Sequence, residues 1–376
     1  MPSKWIKFLS FVNRNRVLSK IFLTAEQDRK EPSGPMLPLF ILVATFRGIG
    51  QVAFVNSAVS GVAIFVGCVI ERPIAGICGF IATLICTLLG YAIRDERAAC
   101  MNGLHGYNAF LLGMGLGYFD DRLNSERSDW VQFARVLLPV VLASVICFLV
   151  HLSLTKSLST PAFTFAYNIT LTSWLAYAVS LGRDSFVVPS FNSESSTPIN
   201  SDPILYNEID FGWFAKSTLA GIGQVFFAPE LSSSIIITGG LAIGSPIAAL
   251  LGIFGSAIGN TIAILSEGSK TDAEMGIYGL SAVLCAIALG GFYFVFSFRS
   301  VLLSLFGSVF CVGMTSVFSG LLVRPIGPSM TFPFCTVATF LYLAGLHVPG
   351  LIHVPTHILE SPERHLAHHL EEKIEG

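Results

Sequence analysis

Residues 47–54 spell RGIGQVAF and residues 220–227 spell AGIGQVFF, so six of eight positions are identical across an offset of 173. Each copy sets an amide, Gln51 or Gln224, among glycines and three positions before a ring, Phe54 or Phe227. On a continuous helix that spacing puts amide and ring on one face. At the same offset, ERPIAGICG (71–79) faces GSPIAALLG (244–252), and NGLHGYNAFL (102–111) faces MGIYGLSAVL (275–284). TPAFTFAY (160–167) and GPSMTFPF (327–334) close the two halves at an offset of 167. Four matches in one order define a duplication.

The medium around the duplicated parts follows from composition. Hydrophobic residues make up 53% of the 376 and charged residues 12%, about half the roughly 25% of a soluble domain. Runs at 74–93, 136–154, 161–181, 231–265, 301–323 and 331–348 are long enough for a bilayer core, which needs about 20 helical residues per crossing, and the longest holds more than one pass. Their length and their Gly and Pro content favour helices over a barrel. The expected fold is an all-α polytopic membrane protein. The net charge of −2 and the lack of a basic stripe exclude a nucleic-acid partner.

The ends and the middle are polar. Residues 1–35 carry seven Lys or Arg against three acids and no cleavable apolar leader, which reads as a cytoplasmic tail. Residues 36–182 form the first membrane repeat, 183–216 a Ser-, Asn- and Pro-rich linker with five acids, 217–349 the second repeat, and 350–376 a cytoplasmic tail read as a solvated helix. If each half crosses an odd number of times, the second is inverted and the linker is extracellular. The eight cysteines lie singly within apolar runs and read as core-filling thiols; no metal site and no cofactor is expected.

Buried charge marks ion paths and proton relays, and the apolar runs hold almost none away from their ends. The cargo is therefore expected to be neutral. The duplicated polar positions are uncharged: Gln51 and Gln224, Thr164 and Thr331. Two uses fit them, a path lined by hydrogen-bonding groups between aromatic walls, or polar contacts that join helices. Glycine-interrupted NGLHGYN and MGIYGLS fit the entry points of broken helices. The only Asn-x-Thr sequon within a run, Asn168-Ile169-Thr170, is not expected to be glycosylated. No nucleophile, metal or acid–base pair marks the duplicated positions, so an enzyme is not expected.

These stretches together, GIGQVxFxN, GxxGYN and the pair of LPxxTxPF-like segments, resemble the urea transporter family over roughly residues 40–348. The resemblance implies two inverted repeats, each of about five spanning helices plus a re-entrant half-helix. It also implies a urea pore in every protomer and a homotrimer; the expected location is the cell membrane, crossed several times, with both termini in the cytoplasm. The resemblance makes Gln51 with Phe54 and Gln224 with Phe227 two urea sites, one near each mouth. Thr164 and Thr331 become the narrow middle, and Tyr107 the aromatic that completes the first slot. At the 173-residue offset Leu280 and Ser281 replace Tyr107 and Asn108, and the first LPxxTxPF copy keeps only its first Pro and its Thr. Passage of another small neutral amide or of ammonia, and ion-coupled transport, are the alternatives.

Overall fold

The computed structural model describes residues 37–121, 129–158, 160–180, 203–204, 209–322, 328–355 and 359–375. The basic tail at 1–35 and most of the 183–216 linker lie outside the described residues. Among those described, the elements are helical, apart from two isolated bridges.

The first half runs α1 (Leu37–Gln51), α2 (Ala58–Glu71), α3 (Pro73–Ala92), the short α4 (Arg97–Met101), α5 (Tyr107–Asp121), α6 (Asp129–Ser157) and α7 (Phe165–Ser180). The second runs α8 (Phe211–Gln224), α9 (Leu231–Gly244), α10 (Pro246–Leu265), α11 (Lys270–Glu274), α12 (Ile277–Ile287), α13 (Phe298–Leu322) and α14 (Phe332–Gly345). α15 (Pro362–Glu375) follows. The bounds of α2, α3 and α4 fall 173 residues before those of α9, α10 and α11, so the repetition in sequence is a repetition of elements.

Breaks between helices have local causes. α3 and α10 each start on a proline at the first helical position, where the missing N–H costs nothing. Pro246 thereby divides the 231–265 run into two helices. α8 begins at Phe211, inside the segment read as linker, because the Asp210 carboxylate accepts the Trp213 N–H at 2.6 Å and caps it.

The backbone repeats in finer detail. Left-handed φ values occur at Phe54 (62°) and Phe227 (58°), at Arg94 (54°) and Glu267 (50°), at Phe163 (42°) and Met330 (49°), and at Gly103 (69°) and Gly276 (74°). The members of each pair are separated by the sequence offset of their segment.

α2 of one half packs along α9 of the other. Gly67 on α2 lies where a Cβ would come 2.8 Å from Ile237, and its counterpart Gly240 on α9 where a Cβ would come 2.8 Å from Ala63. Small residues allow this close crossing.

Four helices, Pro73–Ala92, residues 133–157, Pro246–Leu265 and Phe298–Leu322, are long and apolar enough to cross a bilayer, and several shorter apolar helices accompany them. α6 turns Leu138, Leu142, Ile146 and Leu149 outward, each more than half exposed. Ser60, Ser144, Ser233, Ser256 and Asn260 are meanwhile fully buried. An apolar outside over a partly polar inside is stable in lipid.

The C-terminal segment differs from the solvated helix expected. Pro362 lies against Gly291, and the Glu363 carboxylate accepts the Ile247 N–H at 2.7 Å and the Ser245 hydroxyl at 2.8 Å. A carboxylate at a helix N-terminus completes unpaired N–H groups, and this one fastens α15 to the start of α10. Burial pushes the Glu363 carboxyl above the usual carboxylate range, against the opposing pull of those hydrogen bonds.

Candidate functional site

α1 does not continue through Phe54. It ends at Gln51, and the chain closes with Phe54 N–H donating to the Gln51 carbonyl at 3.0 Å and Val55 N–H to the Gly50 carbonyl at 3.1 Å. This is a Schellman cap with Phe54 in the left-handed position. α8 ends identically: Phe227 N–H to the Gln224 carbonyl at 3.1 Å, Ala228 N–H to the Gly223 carbonyl at 3.0 Å. A Cβ on Gly50 or Gly223 would lie 2.4 or 2.1 Å from the carbonyl oxygen of Val55 or Ala228, which is why the phrase needs glycine before glutamine.

Glycine is also the usual residue at the left-handed cap, and a side chain there costs roughly 1–2 kcal/mol. Both copies place phenylalanine at that position. The strain is stored twice at matching points, the kind of place where functional sites keep it.

The ring of Phe54 meets Phe292, Tyr293 and Phe334 at centroid distances of 5.0, 5.9 and 6.1 Å. The ring of Phe227 meets Tyr118 at 5.2 Å and Phe119 at 6.3 Å. Each phenylalanine is thus boxed by rings from the opposite half. Phe292 ends a π-helical turn, Ala288–Phe292, that continues α12 and is closed by Tyr293 N–H donating to the Ala288 carbonyl at 2.9 Å. The extra residue of a π turn re-aims the side chains that follow it.

Gln51 is buried, and its amide donates to the Asn102 carbonyl at 3.2 Å while Arg47, one turn earlier, donates to the Met101 carbonyl at 3.0 Å. Together they satisfy the carbonyl end of α4. Gln224 is half-buried, and the residue matching Arg47 is Ala220.

Between the two ends the threonines meet. Thr164 Oγ1 and Thr331 Oγ1 are 2.7 Å apart, and both residues are 2% exposed. Thr331 donates its hydroxyl to Asn168 Oδ1 at 3.0 Å and its N–H to the same oxygen at 3.2 Å, while Thr164 Oγ1 lies 3.1 Å from Cys335 Sγ. Asn168 and Cys335 are themselves matched at the 167 offset, and Asn168 Nδ2 donates to Cys335 Sγ at 3.4 Å. Equivalent residues of the two halves therefore touch one another. Asn168, fully buried in these bonds, is closed to glycosylation.

Tyr107 stands one layer behind. Its hydroxyl donates to the Phe163 carbonyl at 2.7 Å, and its ring meets His151 at 5.4 Å. Asn108 donates to the same carbonyl at 3.2 Å and accepts the Tyr167 N–H at 3.1 Å. Leu280 keeps the matching place, since Gly106 and Gly279 hydrogen-bond to Gly103 and Gly276 in identical turns at 3.0 Å. It is 9% exposed and has no hydroxyl to offer.

Sequence reasoning missed Phe292, Tyr293, Tyr118, Asn108, Asn168 and Cys335 as site residues. Only the sequon and the duplicated Tyr-Asn/Leu-Ser dipeptide hinted at any of them. It also missed a line of titratable groups running inward from the exposed Lys156, which pairs with Asp95 at 2.9 Å; Asp95 pairs with His105 at 3.3 Å, and the His105 ring packs 6.0 Å from His151. Among the described residues no group of three His, Cys, Asp or Glu is placed to hold a metal, and all eight cysteines are buried and unbridged.

A multi-pass membrane protein with duplicated polar positions meeting at its centre belongs to the transporters. The family described as urea transporter matches residues 42–345, and the chain belongs to that family, one of transporters rather than enzymes. Urea transporter 1 of Ovis aries is 27% identical over 329 residues, covering 86% of this chain and 82% of the relative. Urea transporter 1 of Mus musculus is 27% identical over 331 residues, covering 87% and 83%.

Proposed function

We propose that the protein passes urea down its gradient, without coupling, along a path from the Gln51–Phe54 end through Thr164 and Thr331 to the Gln224–Phe227 end. One observation carries this reading. Phe54 and Phe227, and the touching Thr164 and Thr331, are matched in register, and a run of packed rings leads from the first end to the threonines: Phe54 to Phe334, Phe334 to Phe163 at 5.3 Å, and Phe163 to Thr164 along the chain. The same residue type holds the left-handed cap position at both ends, each time among rings of the other half.

Urea is flat and neutral, and it loses roughly 2–7 kcal/mol for each polar group that leaves water unpaired. Ring faces hold its plane. Oxygens of Gln and Thr side chains and of nearby backbone accept its N–H groups. No single site holds it tightly, because conduction needs sites it can leave.

The remaining parts of the proposal are architectural. The halves are inverted relative to one another, each with about five crossings, and α5 and α12 form the re-entrant elements. The linker is extracellular, the termini are cytoplasmic, and three protomers assemble in a cell membrane. The contacts of Thr164 with Thr331 and of Asn168 with Cys335 support a two-fold relation. The identity of relatives named for urea supports the cargo.

A coupled carrier would draw on the Asp95–His105–His151 line. Lys156 already pairs with Asp95, and Asn108 with His151 at 3.2 Å, so these groups serve the scaffold. Radiolabelled urea flux into liposomes containing the purified protein tests both readings. Saturable flux is expected to persist when sodium, proton and voltage gradients are collapsed. Loss of net flux on their collapse would establish coupling and reject the channel-like reading.

A further inference from the structure

The two ring boxes are supported differently from behind. At the Phe227 box the guanidinium of Arg72 lies 5.3 Å from the Tyr118 ring centroid, so the brace comes from the membrane repeat itself. The residue matching Arg72 at the 173 offset is Ser245, which cannot reach a ring. Its hydroxyl instead binds Glu363 of α15 at 2.8 Å.

Two residues further along α15, His365 is 6% exposed, and its imidazole packs edge-on to Phe292 at 6.0 Å and 62°. Its orientation is held from both sides. Nε2 accepts the Glu360 N–H at 2.9 Å, and Nδ1 lies 3.4 Å from the Gly291 carbonyl. Accepting at Nε2 leaves the proton on Nδ1, facing that carbonyl. Pro362 covers Gly291, next to Phe292 in the chain. Phe292 also meets the Phe54 ring, 5.0 Å away.

We propose that His365 is a positioning residue for the Phe54 slot. α15, fastened by Glu363 to the start of α10, presses the imidazole onto Phe292 and thereby sets how closely the ring box of Phe54 grips a planar solute. The C-terminal segment thus gives the two ends of the path unequal selectivity. This rests on the reading of the Phe54 box as a solute slot.

The experiment compares methylurea and urea permeabilities in liposomes for the full-length chain and for His365→Ala, His365→Phe and Glu363→Ala. A ratio within one preparation is unaffected by how much protein folds, so a purely structural role would not move it. Discrimination by one methyl group is worth about 10-fold to 200-fold in a close-fitting pocket. Partial loosening in His365→Ala should raise the methylurea-to-urea ratio roughly 2-fold to 10-fold. Glu363→Ala should do the same by releasing α15. His365→Phe, which keeps a ring on Phe292, should restore the wild-type ratio. If His365→Ala is poorly folded, His365→Gln, which keeps hydrogen bonding without the ring, should show the same rise.

A wild type that passes urea, with His365→Ala and His365→Gln at an unchanged ratio, overturns this inference and leaves the function standing. So does a His365→Phe variant as loose as His365→Ala. A wild type that passes no urea overturns the function and this inference with it.

Discussion

The two halves share a backbone and differ in what their side chains do with it. In the first, the carbonyl of Phe163, next to Thr164, takes hydrogen bonds from Tyr107 at 2.7 Å and Asn108 at 3.2 Å, and Asn108 continues to His151. In the second, Leu280 and Ser281 occupy the matching turn, and the Ser281 hydroxyl is buried without a hydrogen-bond partner among the described residues. Arg47 braces one short helix and Ala220 stands in its place at the other. Every paired left-handed residue nevertheless recurs. A chain reversal in a packed membrane core has few solutions, whereas a polar contact can be exchanged for an apolar one wherever its partner is exchanged too.

The comparison breaks most sharply where the halves touch. Thr331→Val keeps the shape but removes the hydroxyl shared with Thr164 and Asn168. A lost partner for a desolvated N–H is worth roughly 1–3 kcal/mol, so urea flux should slow about 5-fold to 150-fold. Normal flux through folded Thr331→Val would reduce the threonine pair to a helix contact.

The unequal second layers give the next effect, one of stability. Asn108→Leu strands the Tyr167 N–H and loses a donor to Phe163, at a cost of roughly 1–3 kcal/mol. Ser281→Ala removes only an unpaired hydroxyl and should stay within about 0.5 kcal/mol of wild type or gain slightly. Thermal unfolding in one detergent ranks them, and equal losses would show that the halves are polar to the same degree in this layer.

Selectivity sharpens the contrast further. Leu280→Phe should lower the methylurea-to-urea permeability ratio by about 2-fold to 5-fold, and Tyr107→Leu should raise it. An unchanged ratio in both folded variants would remove this layer from the slots.

The smallest effect probes the feature that the halves share. At a left-handed position glycine is favoured over alanine, so Phe54→Gly should be about 1 kcal/mol more stable than Phe54→Ala, the reverse of the order inside a helix. The same order is expected at Phe227. Alanine proving the better replacement at either site would deny the strain there.

Much was legible in one dimension. Six matched letters around Gln51 and Gln224, three further ordered matches, and a 12% charge content determine a duplicated helical membrane protein, because repetition and hydropathy are local properties of the chain. The same matches single out Gln51, Phe54, Thr164 and their counterparts as the places to look. Only the tertiary structure ends α1 at Gln51, since no residue type in GIGQVAF announces that a phenylalanine will take the place of a cap glycine. It alone brings Thr164 to Thr331, boxes Phe54 with Phe292 and Tyr293, and folds α15 back onto the π turn. Those contacts join residues far apart in the chain. They depend on how closely whole helices approach, a balance of packing against desolvation that no short stretch of sequence contains.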